Sequence, residues 1–177
     1  EVEEIEKGGG KRAQRLKRSG GAVEPPAGVG KKSKECGLGG AGTDGNGNVY
    51  VLEDATVRGL RPAGWAKRAV KLFQDWRADR VVAEINQGGA MVEQVLREVN
   101  PDVSFKSVHA SRGKSARAEP VAARYEQGRV FHVGAFPELE DEMCNEIKTG
   151  INSPGRLEAL VWAGTELVLH EGPAAPS

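Results

Sequence analysis

The sequence has little cysteine, few aromatic residues, no excess of either charge and no long apolar run. Its two cysteines, Cys36 and Cys144, lie far apart and outside any CxxC pair. That argues against a disulfide framework or a thiolate zinc site and fits a reducing cytosol. The three histidines, His109, His132 and His170, show no HExxH or other paired spacing, so imidazole metal ligation has no support. Apolar runs of a few residues fall far short of the ~20 needed to span a bilayer, and the N-terminus lacks the apolar core of a secretory signal. Lys+Arg and Asp+Glu are both 25, so global charge gives no argument for nucleic acid; a local basic face would be needed. The first residue is Glu, which suggests a piece of a longer protein.

What is present reads as one domain. A chain of 177 residues buries a core without staples. Residues 1–18 form a polar lead or linker, residues 19–170 the domain, and residues 171–177 a Pro/Ala tail. The lead carries Lys11, Arg12, Arg15, Lys17 and Arg18, a solvated face or a DNA-contacting arm. A short extended segment ends at Glu24 before Pro25-Pro26. Where a second strand belongs, Gly37 to Gly42 is nearly all glycine, so it and the first strand are expected to be weak. Residues 49–57 (VYVLEDATV) read as one strand, entered through hairpin-turn chemistry at Asp44-Gly45-Asn46-Gly47.

Helix and strand then alternate. Pro62 suits a helix start, and Trp65, Ala69, Leu72, Phe73 and Trp76 recur on one face. Arg80–Ile85 (RVVAEI) is an apolar run with one acid, the mark of a strand buried on both faces. A helix follows Gly88-Gly89, then a strand over 103–108, a helix over 114–127 around Pro120, a strand over 129–133, a short acidic helix over 136–144, and a final helix with stripe Leu157, Leu160, Val161, Leu167 and Val168. Hairpins first and strand–helix alternation after predict a mixed α/β sheet with helices on both faces.

Two apparent motifs fail. In Gly28–Ser33 (GVGKKS), Lys32 separates Gly-Lys from Ser, and position 25 is proline where a phosphate loop requires glycine. Asp44-Gly45-Asn46-Gly47-Asn48 opens like an EF-hand loop, but its sixth and twelfth positions are Val49 and Ala55.

Three acids stand out by position. Glu84 lies inside an apolar strand, where a carboxylate is costly unless paired or bound to a cation. It is also at the strand end where open α/β sheets bind ligands. Glu24 ends the first strand, and Glu158 flanks the stripe of the last helix. Each has an ordinary alternative, as a helix-capping acid, a turn acid or a solvated helix acid. Together they match the carboxylates that hold two divalent ions over a scissile phosphate.

At these residues the chain resembles a known family. VAEINQGGAMVEQVL, SVHASRGKSARAEPVAARYEQGRVFHVGAFPELEDEMC and LEALVWAGTEL resemble the C-terminal nuclease domain of phage terminase large subunits, over about residues 16–169. The resemblance implies an α/β, RNase H-like mixed sheet, with antiparallel opening strands followed by parallel ones. It implies an endodeoxyribonuclease that cuts concatemeric DNA during genome packaging with two Mg²⁺ or Mn²⁺ ions. Glu24, Glu84 and Glu158 would be its catalytic, metal-holding residues, and Lys114 and Arg117 its DNA-phosphate contacts. Trp162 is expected in the core rather than as a base-stacking residue. Double-stranded DNA, a packaging ATPase domain in the full-length chain, the small terminase subunit and the portal are the implied partners, in the cytoplasm of a bacterial host and away from membranes.

The chain departs from the family at sensitive places. Aspartate is expected at positions 24 and 158, and the added methylene moves each carboxylate by more than the ~0.5 Å that catalytic geometry tolerates. Reduced activity, with Mn²⁺ favoured over Mg²⁺, is the expectation. Two other readings stay open: a catalytically degenerate DNA-binding or motor-docking remnant, and a junction-resolvase-like nuclease.

Overall fold

The computed structural model describes residues 16–26, 35–84, 89–110, 113–149 and 155–169. The Gly28–Ser33 segment, His170, and nearly all of the lead and tail lie outside them.

Seven strands form a mixed sheet. In chain order they are β1 (Arg18–Glu24), β2 (Glu35–Thr43), β3 (Val49–Asp54), β4 (Val57–Arg58), β5 (Arg80–Glu84), β6 (Phe105–Val108) and β7 (Val130–His132). Among the described residues five helices accompany them: α1 (Pro62–Asp75), α2 (Gly89–Val99), α3 (Lys114–Glu126), α4 (Pro137–Thr149) and α5 (Gly155–Leu169). The spatial order is β6-β5-β1-β2-β3-β7, with β4 paired to β2. The β1–β2 and β2–β3 pairs are antiparallel. The β1–β5, β5–β6 and β3–β7 pairs are parallel. This is the RNase H-like arrangement expected from the sequence.

Strand alternation sorts side chains into two layers. Val23, Leu38, Val81 and Ala83 face a core completed by Leu72 and Phe73 of α1 and by Val92 and Leu96 of α2. Their neighbours Ala22, Ala41 and Val82 face Ala159, Trp162, Ala163 and Leu167 of α5. Period-two alternation demands this division. The outer side of α5 is covered too, because Leu157, Leu160 and Val161 pack with Leu139 of α4. A helix apolar nearly all round is a buried one.

The glycine-rich strands are fully paired with each other. Seven residue pairs join β1 to β2 without interruption. Neighbouring groups fill the space that side chains would take. A Cβ on Gly21 would collide with the Phe73 ring, and one on Gly37 with the Gly155 carbonyl. Glycine at position 37 thus lets α5 begin against β2.

Three boundaries differ from the sequence reading. The strand expected over 49–57 breaks at Ala55-Thr56, where Asp54 Oδ1 accepts the Thr56 amide at 3.1 Å. The acidic helix runs on to Thr149, and the 103–108 strand starts only at Phe105. The 44–48 turn is as expected: Gly45 and Gly47 take φ 80° and 84°, and Asp44 Oδ1 accepts the amides of Asn46 (2.8 Å) and Asn48 (3.3 Å). Those bonds outweigh partial burial and hold the Asp44 carboxyl below its ordinary range.

Candidate active site

Glu24 and Glu84 end neighbouring parallel strands. The β1–β5 register pairs Gly20 with Arg80, Gly21 with Val81 and Ala22 with Val82. The pairing ends there; continued in register by two residues, it would bring Glu24 level with Glu84 on the same face. Glu84 is 6% exposed and Glu24 half-buried. Glu158 comes from the first turn of α5 and is 4% exposed. Its carboxylate benefits from the positive end of that helix.

A cation joins two of these acids. Arg117 Nη1, from α3, stands 3.8 Å from Glu84 Oε2 and 3.6 Å from Glu158 Oε2. Its guanidinium lies over the Trp162 ring, 4.7 Å from the centroid. Trp162 is itself buried in the core, as the sequence suggested. The Arg117 side chain is only 10% exposed, yet its Nε and Nη1 make no hydrogen bond. The two acid contacts are therefore charge contacts rather than a locked fork. Burying two carboxylates together demands positive charge between them, and here Arg117 supplies it.

The donor set has the chemistry of a hard-cation site, carboxylate oxygens at a strand end and a helix start. Among the described residues, however, no group of three or more His, Cys, Asp or Glu is arranged to hold a metal ion. Lys114 opens α3, and its side chain lies outside the described residues.

Two features escaped the sequence reading. Arg117 was read toward DNA phosphate, whereas its side chain faces Glu84 and Glu158. The second is a charge cluster around Arg156, which binds Glu35, Asp54, Glu138 and Glu142. Its members are up to 121 residues apart, and no local spacing announces them. Glu24 and Glu35 also flank Cys36: burial first, then these two charges, push its thiol up to about 12.

Strand order and the succession of antiparallel and parallel pairs define an RNase H-like fold. A family model described as the terminase RNaseH-like domain matches residues 21–166. The chain belongs to that family. Among solved structures, the human cytomegalovirus terminase nuclease domain superposes with a TM-score of 0.62 at 12% identity, covering 84% of this chain and 82% of that one. A mutant form of the large terminase subunit from bacteriophage Sf6, solved with calcium, gives 0.61 at 13% identity, covering 85% and 89%. The Thermus thermophilus RuvC protein in complex with a Holliday junction substrate gives 0.51 at 16% identity, covering 87% and 95%. No curated protein matches the sequence.

Proposed function

We propose that this chain is the metal-dependent endonuclease domain of a phage-type terminase large subunit, cutting concatemeric DNA during genome packaging. The observation that carries the reading is Arg117 between Glu84 and Glu158, a cation already placed where a strand end and a helix start bring two buried acids together. Glu24, Glu84 and Glu158 would hold Mg²⁺ or Mn²⁺, as two ions. Bound there, such ions supply an activated water and charge stabilisation of the leaving oxygen. The Sf6 neighbours solved with calcium and with manganese are consistent with divalent ions at this fold.

The chain's own residues do the rest. Glu84 and Glu158 present oxygens from rigid elements, and Glu24 adds a third beside Glu84. Arg117, stacked over Trp162, would supply positive charge to a DNA phosphate brought up to the two acids. Lys114 is the second phosphate contact. Glutamate at positions 24 and 158 lowers the rate and shifts the preference to Mn²⁺, whose octahedron is less strict than that of Mg²⁺. In the full-length protein the partners would be double-stranded DNA, a packaging ATPase domain, the small subunit and the portal, in the cytoplasm of the bacterial host. Among the described residues no helix is long and apolar enough to cross a membrane.

One observation favours a second reading. The described acids form no three-ligand group, as in a degenerate DNA-binding or motor-docking remnant with Arg117 as permanent counter-ion. Nicking of supercoiled plasmid under Mn²⁺ decides between them: nicked and linear products support the nuclease, and DNA retention without cleavage supports the remnant. Preferential cutting of branched over linear DNA would instead identify a junction-resolvase-like enzyme.

A further inference from the structure

The start of α5 is fixed by more than apolar packing. Leu157, Leu160 and Val161 pack with Leu139 of α4 through apolar contacts, which are non-directional. Arg156 adds directional contacts. Its guanidinium reaches Asp54 of β3 at 3.2 Å and Glu35 of β2 at 3.4 Å. It also reaches Glu138 and Glu142 of α4, at 3.3 and 3.1 Å, the latter as a charge contact only, since Nε makes no hydrogen bond. Arg58 of β4 shares Glu35 at 2.7 Å. Four carboxylates thus surround two guanidiniums, and the Arg156 and Asp54 side chains are only 9% and 8% exposed. Buried ion pairs add little net stability, but they hold register well.

We propose that Arg156 is a positioning residue: by clamping the first turn of α5 to β2, β3 and α4, it sets where Glu158, two residues on, presents its carboxylate. The functional half of this inference rests on the reading of Glu158 as a metal ligand. The fork geometry of arginine is essential, because a lysine ammonium would serve one or two of these acids but not all.

The clamp is also proton-sensitive. Glu142 faces Arg156 and the Leu157 amide of α5, Glu35 of β2, Asp54 of β3 and Glu138 on its own helix. Burial raises its carboxyl to about 7, Arg156 opposes the rise, and Glu35 and Asp54 add to it. One oxygen each of Glu35 and Glu142 is buried without a hydrogen-bond partner. Loss of the Glu142 proton therefore leaves a charge in a poorly solvated place with one oxygen unpartnered, which favours its withdrawal toward solvent and away from α5, and the clamp loosens.

The test compares the intact chain with Arg156→Lys and Glu142→Gln, by amide hydrogen exchange over residues 155–160 and by the Mn²⁺ concentration that half-saturates plasmid cleavage. Folded Arg156→Lys should exchange faster in this segment alone and need about tenfold more Mn²⁺, the usual scale for a ligand's supporting partner. Glu142→Gln should remove the pH dependence of that protection between about pH 6 and 8. Wild-type exchange and Mn²⁺ demand in Arg156→Lys would overturn the proposal. If the wild type cleaves nothing, the nuclease reading fails instead, and the exchange measurement still decides the clamp.

Discussion

Arg117 Nη1 lies 3.6 Å from the Glu158 carboxylate, so an α3 side chain reaches across to the α5 acid that the strand ends approach. With its 3.8 Å contact to Glu84, Arg117 is a counter-ion shared by the two buried acids.

Replacement of that counter-ion has a two-sided consequence. Arg117→Ala leaves Glu84 and Glu158 buried together without it, and breaking such a pair costs about 3–5 kcal/mol. Saturating Mn²⁺ should recover much of the loss, since a ligand at 100 times its Kd adds about 2.7 kcal/mol. Thermal melts with and without Mn²⁺ test this: the metal-induced rise in Tm should be larger in Arg117→Ala than in wild type. An equal or smaller rise would show that Arg117 does not stand in for the ion.

Shortening the two departing acids should improve the site. Glu24→Asp with Glu158→Asp is expected to raise plasmid cleavage and to narrow the gap between Mn²⁺ and Mg²⁺. Rates for the double variant under each metal measure it, and unchanged cleavage would mean that these positions do not hold the ions.

The glycines divide into two groups. Gly21→Ala and Gly37→Ala should be strongly destabilising, because Phe73 and the Gly155 carbonyl occupy the added methyl's space. At Gly20 and Gly39 the nearest atoms to a new Cβ are 3.5 and 3.7 Å away. Alanine there should stabilise by about 0.4–1 kcal/mol through the unfolded chain's lost freedom. Urea midpoints of the four variants separate the groups.

Stability should fall as pH rises from about 4.5 to about 7. The Glu142 carboxyl moves from an ordinary 4.5 to about 7 on folding. A raised carboxyl means that the native state holds the proton more tightly, so the benefit is complete below about 4.5 and lost as pH climbs through about 7. Urea unfolding across this range should show the decline in wild type and a flatter profile in Glu142→Gln.

The two cysteines should differ in chemistry. Cys36 is buried with its thiol pushed up to about 12, while Cys144 is exposed. A thiol reagent at about pH 8 should label Cys144 in the native protein and reach Cys36 only on unfolding. Native labelling of both would place Cys36, and the Glu24 and Glu35 around it, differently.

Most of the fold was legible because its signals are local. The Trp65-to-Phe73 stripe, the Val81–Ala83 run and the Asp44 turn each carry their period or turn chemistry within a few residues. The packing of strands β1 and β2 was not legible because glycine shows none in sequence; the groups that fill its space, Phe73 and Gly155, come from distant elements. The positions of Glu24 and Glu84 were readable as strand ends. The orientation of Arg117 and the Arg156 cluster were not, since charge contacts between α3, α4, α5 and the sheet exist only after folding.

Cleavage of supercoiled plasmid by the wild-type chain and by Glu84→Gln, with Mn²⁺ and with chelator, tests the central claim most directly. The account predicts nicked and linear DNA only for wild type with Mn²⁺, and a loss of at least about a hundredfold in Glu84→Gln, as for loss of a group that stabilises the transition state. Equal cleavage by the two proteins, or none by wild type at saturating Mn²⁺, would contradict it.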